Sequence, residues 1–477
     1  MKTKIKKANK KLYKETEVEN IIGCKVVGGA DPVEVSKEFN VDINYVNYQK
    51  ERVLKKLNTD DEDNNQSKVN ITKNLMLRII IGCMLICKGS TEDTARFLLL
   101  VFNTKVSIGK ISSVMKVAAQ KAKAWNESVS LENISIGAND EIFQGTKPIL
   151  VGVDPKTTYV YLLQIALNRE ANTWGYFLLE KAQNQGLWLS QAVSDAGKGI
   201  IRGVKDVFGE DISYQADIFH SVYDFGKGLK ACENTVYKLI KELEKAKKKN
   251  SKSLVANEDL QGLELKVSKA VEEYEDLCIL YSWINELLDV GGYFYKERLE
   301  LFEFIIGHLQ NIELSNNYLK KSIKFFQNNT GQLLQFVNIV EDNISVFAHL
   351  EGVEEEVLRK MWIQEAYSSE GAEYNYLEAY IGGKLGDRYL EIREKYQQFI
   401  KDIVRASSIV ECINGLIRPY INIKRLIPKG FEQLLQLYLN TRVYFRSRVD
   451  KRNKKSPYEL LTGKKCGNFL DILCPVV

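Results

Sequence analysis

Three acidic side chains, far apart in the sequence, stand beside the ends of predicted strands or helices. Asp140 lies in a β-rich run, Asp195 directly follows another such run, and Glu411 lies in the first turn of a predicted helix. Mg²⁺ prefers carboxylate oxygens and keeps several of its waters, so a few well-placed acids are enough to hold it. Two such ions roughly 3.5–4 Å apart can activate an attacking oxygen and stabilise a leaving one. If these acids converge, they predict metal-dependent phosphoryl transfer.

Other acids close to them in the sequence have different explanations. Side chains alternate across a strand, so Asp140 and Glu141 point to opposite faces and only one of them can serve a site. Asp154 precedes Pro155 in a predicted turn, where an aspartate commonly accepts hydrogen bonds from the local backbone. The sequence around Asp195 does not fit the phosphate-binding loop pattern. Asp195 instead stands at the C-terminal end of a predicted strand, where α/β sheets place ligands.

Glu411 has two interpretations that the sequence alone leaves open. With Ser408 it fits a capping box, in which the glutamate only accepts a hydrogen bond from the backbone amide at the helix start. In the other interpretation it belongs to a polar stripe on one helical face. The stripe consists of Glu411, Asn414, Gly415 and Arg418, at spacings of three and four residues. It begins with an acid and ends with a cation that could bind a phosphate.

The elements around the first two acids follow one pattern. Short β-favouring runs separated by turn residues predict a three-stranded antiparallel meander, after which helices and strands alternate. This is the order of elements in a ribonuclease-H-like sheet. The predicted strands span 134–143, 148–153, 158–165, 189–193 and 212–216, and the helices between the later strands span 171–183 and 199–207. Residues 225–398 have an almost wholly helical pattern.

Two predicted helical hairpins precede this region. Asp31 is a good N-cap before Pro32, and Asp42 begins a second helix that reaches Lys55. Ser90 and Ser107 begin the two helices of the second hairpin. Each hairpin has the length pattern of a helix-turn-helix, although a plain helical hairpin is the alternative. If the hairpins bind DNA, the predicted contacts are Lys50, Arg52 and Lys110.

Charge is distributed unevenly along the chain, although its net value is only +5. Residues 1–14 contain seven lysines and no acid, and residues 418–465 contain thirteen Lys or Arg against three acids. Two basic ends around a more acidic middle are typical of a protein that binds a polyanion. A solvated tail is the alternative for the first segment. In the second, charged and aromatic residues alternate, which indicates folded structure, and the predicted DNA contacts are Arg418, Lys424 and Arg425.

Composition excludes several other classes of protein. The hydrophobic content of 45% is ordinary for a globular chain, and no run of eighteen apolar residues predicts a membrane span. Eight scattered cysteines without a C-x-x-C pair, together with three histidines, argue against a disulfide framework and a structural zinc site. These features predict reduced thiols and a cytoplasmic location, with no membrane partner.

Five blocks of the sequence resemble DDE-type transposases of bacterial insertion sequences. They occur in the same order as in that family, and the resemblance as a whole extends from about residue 85 to 465. The two blocks nearest the C-terminus are the most specific. The blocks are 139–143 (NDEIF), 193–198 (VSDAGK), 216–220 (ADIFH), 407–420 (SSIVECINGLIRPY) and 455–463 (KSPYELLTG).

The resemblance implies a site, a reaction and partners. In this family two aspartates and a glutamate bind two metal ions, which assigns Asp140, Asp195 and Glu411 as catalytic ligands of two Mg²⁺ ions, with Mn²⁺ as a substitute. The expected partners are DNA, as terminal inverted repeats and target DNA, and a second copy of the chain in a dimer. A helical insertion before the glutamate also occurs in the family. His220 is expected to contact phosphate, with a buried structural histidine as the alternative.

Two positions depart from the family pattern. Related enzymes often carry a cysteine three residues before the histidine, where this chain has Asp217, and an apolar residue before the first aspartate, where it has Asn139. Neither change removes an expected metal ligand, so we expect an active enzyme.

The predicted architecture is an α/β ribonuclease-H-like catalytic core with a large all-α insertion and an N-terminal helical, helix-turn-helix region. Two alternatives to a transposase stay open: a domesticated or regulatory DNA-binding protein without catalysis, and a structure-specific nuclease. The predicted domains are a basic arm with a helix-turn-helix (1–57), a linker (58–70), a second helical unit (71–130), the first part of the core (131–224), the helical insertion (225–400), and the completion of the core (401–477).

Overall fold

The computed structural model describes residues 15–59, 71–250, 258–424 and 427–475, which divide into two compact units at Thr72. The lysine-rich segment 1–14, most of the predicted linker and Arg425 lie outside the described residues. None of the helices in the described ranges is both long and apolar enough to cross a lipid bilayer.

The first unit contains three helices around a small apolar core. They are α1 (Glu15–Val27), α2 (Pro32–Glu38) and α3 (Ile43–Thr59). As predicted, Asp31 caps α2, because its carboxylate accepts a hydrogen bond from the backbone N–H of Val33 at 2.8 Å. Helix α1 was not predicted, because its apolar residues do not form a clear stripe. The core that joins the three helices consists of Ile22, Val26, Val35 and Val46.

The second unit begins with α4 (Lys73–Leu85), α5 (Thr91–Phe102) and α6 (Ile108–Glu127). Ser90 and Asp93 form a capping box at the start of α5, and the Ser107 hydroxyl accepts a hydrogen bond from the N–H of Lys110 at the start of α6. The second predicted pair of helices is therefore confirmed.

A five-stranded mixed sheet follows, in the order β3-β2-β1-β4-β5. The predicted meander is confirmed, since β1 pairs antiparallel with β2 and β2 with β3. Strands β4 and β5 run parallel to β1 on its other side. The strands are β1 (Ile136–Gln144), β2 (Lys147–Val153), β3 (Val160–Ile165), β4 (Gln191–Ser194) and β5 (Ser213–Ala216).

Helices α7 (Ala171–Gln185) and α8 (Lys198–Phe208) connect the later strands and pack closely on each other. The close approach depends on Gly203, where a Cβ would lie 2.8 Å from the carbonyl oxygen of Ala171. Trp174 is fully buried at this contact and anchors the core with its large apolar ring.

The next region is helical, as predicted, but its first helix begins directly after β5. Its helices are α9 (Ile218–Asn250), α10 (Glu258–Leu287), α11 (Tyr295–Asn311), α12 (Asn317–Leu333), α13 (Gln335–Glu351), α14 (Glu355–Gln364), α15 (Ala372–Leu385) and α16 (Tyr389–Lys401).

The chain then returns to the sheet through α17 (Ser408–Ile423). Val410, Ile413 and Ile417 of this helix are buried in one core cluster with Ala138 and Val151 of the sheet. These apolar positions recur at helical spacing, so one face of the helix is buried against β1 and β2. The last helices are α18 (Phe431–Thr441), α19 (Pro457–Thr462) and α20 (Phe469–Leu473).

Candidate active site

The three acids singled out from the sequence line a single cleft of about 430 Å³. Ala138 of β1 pairs with Val193 of β4. Asp140 and Asp195 each stand two residues further along the chain, so both side chains leave the same face of the sheet. Glu411 reaches the cleft from the first turn of α17. The structure therefore brings together residues that are separated by up to 271 positions in the sequence.

Asp140 is the most buried of the three acids. Its carboxylate accepts hydrogen bonds from the backbone N–H of Glu141 at 2.7 Å and from the Asn414 side-chain amide at 2.6 Å. Burial raises the pKa of Asp140 to about 7, and the negative charges of Asp195 and Glu411 add to the rise. Burial is therefore the main cause that opposes ionisation of Asp140, and the two neighbouring carboxylates act in the same direction.

Asp195 is exposed at the end of β4. Its carboxylate accepts a hydrogen bond from the backbone N–H of Gly197 at 3.1 Å. Between them, Ala196 has a φ of 62°, a left-handed conformation that costs an L-residue roughly 1–2 kcal/mol. This tight turn positions Asp195 before the start of α8.

Glu411 points into the cleft and does not act as a helix cap. Its carboxylate lies 3.3 Å from the Arg418 guanidinium and 3.3 Å from Nε2 of His220. Ser407, at the N-cap position of α17, donates its hydroxyl to Asp217. The contacts of Glu411 therefore match the polar-stripe interpretation, and the capping-box interpretation is not realised in this structure.

Asp217, a departure from the family pattern, is a further candidate because it lines the same acidic cleft. It is buried at the end of β5, where it accepts hydrogen bonds from the backbone N–H of Ser407 at 3.1 Å and of His220 at 3.2 Å. It thereby joins the start of α9 to the start of α17. The sequence contained a signal for this role. An aspartate directly before a helix is a common N-cap, and its carboxylate accepts a hydrogen bond from a backbone N–H two or three residues further on.

The neighbours of Asp140 on β1 are also held by specific partners. Buried Asn139 accepts a hydrogen bond from the Tyr161 hydroxyl at 2.6 Å, which explains a polar residue at this position. Glu141 accepts hydrogen bonds from the Trp174 indole at 2.9 Å and from Arg169 at 3.2 Å. Glu141 also lines the cleft, but its carboxylate is held by these two partners, whereas that of Asp140 is held by Asn414 of α17. That only one of the two acids serves the site stays a prediction.

Asp154 has the role that was predicted for it. Its carboxylate accepts hydrogen bonds from the backbone N–H groups of Lys156 and Thr157, both at 3.1 Å, and so closes the turn between β2 and β3. It is absent from the lining of the acidic cleft.

The predicted DNA contacts in the second unit are found in different environments. Arg418 is half exposed at the acidic cleft, where His220 also lines the wall, and Lys110 is exposed on α6. Lys424 disagrees with its prediction. Its ammonium group is buried, donates to the carbonyl of Gly89 at 3.1 Å and lies over the Phe431 ring, so in this structure it supports packing and is not exposed to a ligand.

The predicted contacts in the first unit both lie on α3. Lys50 is half buried there. Arg52 donates to Glu19 of α1 at 2.7 Å, and that ion pair competes with any phosphate contact.

The cleft offers donors of the kind that Mg²⁺ prefers. Asp140, Asp195 and Glu411 supply hard carboxylate oxygens, and a divalent cation would favour the ionised form of Asp140, which burial and, to a smaller extent, the neighbouring acids oppose. Among the described residues, no three histidine, cysteine or acidic side chains already form a closed set of metal ligands. The three carboxylates therefore fit Mg²⁺ by their donor atoms, by the cleft that they share and by the unfavourable charge that a cation would neutralise.

No protein-family model and no curated protein matches the sequence.

Proposed function

We propose that this protein is a DDE-type DNA transposase that cleaves the ends of an insertion sequence and joins them to target DNA. The observation that carries the proposal is the convergence of Asp140, Asp195 and Glu411 on one cleft. The cation beside them, Arg418, suits a substrate with phosphate groups. The resemblance of the sequence blocks around all three acids to this family supports the same conclusion.

We also infer that the core is ribonuclease-H-like. Three features support this inference: the antiparallel meander, the two parallel strands added beside β1, and the return of the chain to the sheet through α17. The helices between Asp195 and Glu411 correspond to the insertion expected in the family. Synapsis of two DNA ends would require a dimer or a larger homo-oligomer on the DNA.

The three acids would hold two Mg²⁺ ions, with Mn²⁺ as a substitute. When bound, such ions supply activation of the attacking oxygen and stabilisation of the leaving oxygen. Asn414 orients the Asp140 carboxylate from α17, and the N–H of Glu141 fixes its other oxygen. Arg418 is positioned to neutralise a phosphate oxygen, and His220 can donate a hydrogen bond beside Glu411.

A strand-transfer assay tests the proposal. The DNA ends would be taken from inverted repeats in the flanking genomic sequence and incubated with the protein, Mg²⁺ and a target plasmid. We expect cleavage at the 3′ ends of the element and joined products, both abolished by EDTA. Cleavage without joining would instead support a structure-specific nuclease. Binding without cleavage would support a regulatory DNA-binding protein.

DNA binding is expected to depend strongly on salt through the exposed residues Arg446 and Arg448. Each phosphate contact contributes about −0.9 to the slope of log K against log salt, so replacing both residues with alanine should flatten the slope by about 1.8. The measurement is a fluorescence anisotropy titration at several salt concentrations. Arg202→Ala is a matched control, because Arg202 is already paired with Asp206. An unchanged slope in the double variant would show that this segment faces solvent.

A further inference from the structure

A second, larger cleft of about 830 Å³ lies beside the acidic cleft. On two walls, residues that are adjacent in the sequence line different clefts. Phe219 lines the larger cleft and His220 the acidic one, and Cys412 lines the larger cleft next to Glu411. The walls of the larger cleft are mostly apolar side chains from the start of α9 and from residues 403–412. A ligand that extends from one cleft to the other would meet carboxylates first and apolar surface second.

The wall formed by α9 carries an exposed aromatic stack. Phe219 and Tyr223 are one helical turn apart, and their rings are nearly parallel, at an angle of 6° and a centroid distance of 5.9 Å. The ammonium group of Lys227, one turn further on, lies 4.2 Å from the Tyr223 ring centre. Tyr223 therefore lies between two partners. Phe219 ends the stack, and its other ring neighbour is His220, at an angle of 71° and a centroid distance of 5.9 Å. Phe219 and Tyr223 are both more than half exposed.

The rim of this cleft is basic on balance, because Arg405 and Arg452 line it with one acid, Asp289, which pairs with Arg405 at 3.1 Å. Arg452 lines the cleft and donates to the carbonyl of Pro155 at 3.2 Å, which fastens residues 442–455 to the turn between β2 and β3. That segment contains seven Lys or Arg and a single acid, Asp450. An apolar aromatic floor beside a cationic rim is complementary to a nucleotide, which has a flat base on one side and a phosphate on the other.

We infer that the larger cleft holds one unstacked base of a DNA strand, stacked on the ring of Phe219. Aromatic side chains bind unpaired bases of any sequence because every base has a π face. The basic rim favours this ligand over an apolar peptide segment, which would gain nothing from the cations. The location of the base next to the cleaved phosphate rests on the proposed function, whereas the stacking itself does not.

Single-stranded DNA binding without a metal ion tests the inference. The probes are a fluorescent 20-nucleotide oligo(dT) and an abasic strand of the same length, which keeps the phosphates and lacks the bases. The full-length protein is expected to bind oligo(dT) roughly tenfold more tightly than the abasic strand. Phe219→Ala and Phe219→Leu should both remove this preference, the second while keeping apolar bulk. Phe219→Trp, which keeps an aromatic ring at this position, should keep the preference.

A matched control is Phe304→Ala, because Phe304 is 54% exposed, as compared with 55% for Phe219, and does not line the cleft. This variant should keep the preference for bases. The inference is overturned if the wild-type protein binds both strands equally, or if Phe219→Leu weakens binding to both strands by the same factor. The result of the strand-transfer assay is independent of this test. A preference for bases without DNA cleavage would refute the proposed transposase function and still support the base-stacking site.

Discussion

The Glu411→Gln protein is expected to fold and to bind DNA, but to cleave and join it at least roughly a thousandfold more slowly. Glutamine lacks the negative charge that a hard cation requires, so one metal ion should be lost or displaced. A thousandfold loss corresponds to about 4 kcal/mol of transition-state stabilisation. The measurement is a single-turnover cleavage and strand-transfer assay at saturating Mg²⁺.

Stability should change little in this variant. Glu411 is partly exposed and its ion pair with Arg418 is at the surface, where such pairs contribute about 0–1 kcal/mol. Glu391→Gln is the matched control, since Glu391 is an exposed helical glutamate paired with Lys395. Normal activity in the Glu411→Gln protein would leave Glu411 as a surface ion-pair partner, and a third metal ligand would have to be found elsewhere.

The sheet and the N-terminal helices could be predicted because local rules decide them. Alternating β-favouring residues with turn signals between them specify the meander, and caps such as Asp31 and Ser107 specify where helices begin. Helix α1 gave no such signal. The positions of β4 and β5 beside β1 were not predicted, because local patterns contain no information on which strands pair at long range.

The acids of the site could be predicted, but their partners could not. Asp140 and Asp195 stand at predicted strand positions, so a shared face was a reasonable expectation. The hydrogen bond from Asn414 to Asp140 joins residues that are 274 positions apart, and no local sequence pattern predicts it. Lys424 was misassigned for a related reason. Its place in a basic segment suggested DNA, whereas the packing of α17 against Gly89 and Phe431 buries it.

The titration of Asp140 should make the metal-free protein less stable as pH rises. Burial and the neighbouring acids raise its pKa from 3.8 to about 7 in the folded state. Between about pH 4 and pH 7 the folded state therefore holds a proton that the unfolded state has released, so the free energy of unfolding falls with rising pH and levels off above about pH 7. Other buried acids with raised pKa values, such as Asp154, add to the same trend.

Asp140→Asn isolates the contribution of this one residue. The variant keeps the shape of the side chain but has no charge to bury, so in EDTA it should be more stable than the wild type at pH 8, by on the order of 2–4 kcal/mol. The difference should vanish near pH 4, where both side chains are neutral. Urea unfolding at several pH values measures it, and a variant less stable than the wild type at pH 8 would contradict the burial of an ionised carboxylate.

Mg²⁺ should reverse the order of stability between the two proteins. A ligand that binds only the folded state stabilises it by mass action, and a cation held by Asp140 requires the ionised carboxylate. Saturating Mg²⁺ at pH 8 should therefore raise the unfolding free energy of the wild type and leave that of Asp140→Asn nearly unchanged, while cleavage by the variant is abolished. Equal stabilisation of both proteins by Mg²⁺ would mean that Asp140 does not hold the ion. The destabilising burial of the Asp140 carboxylate would then need an explanation other than a role in catalysis.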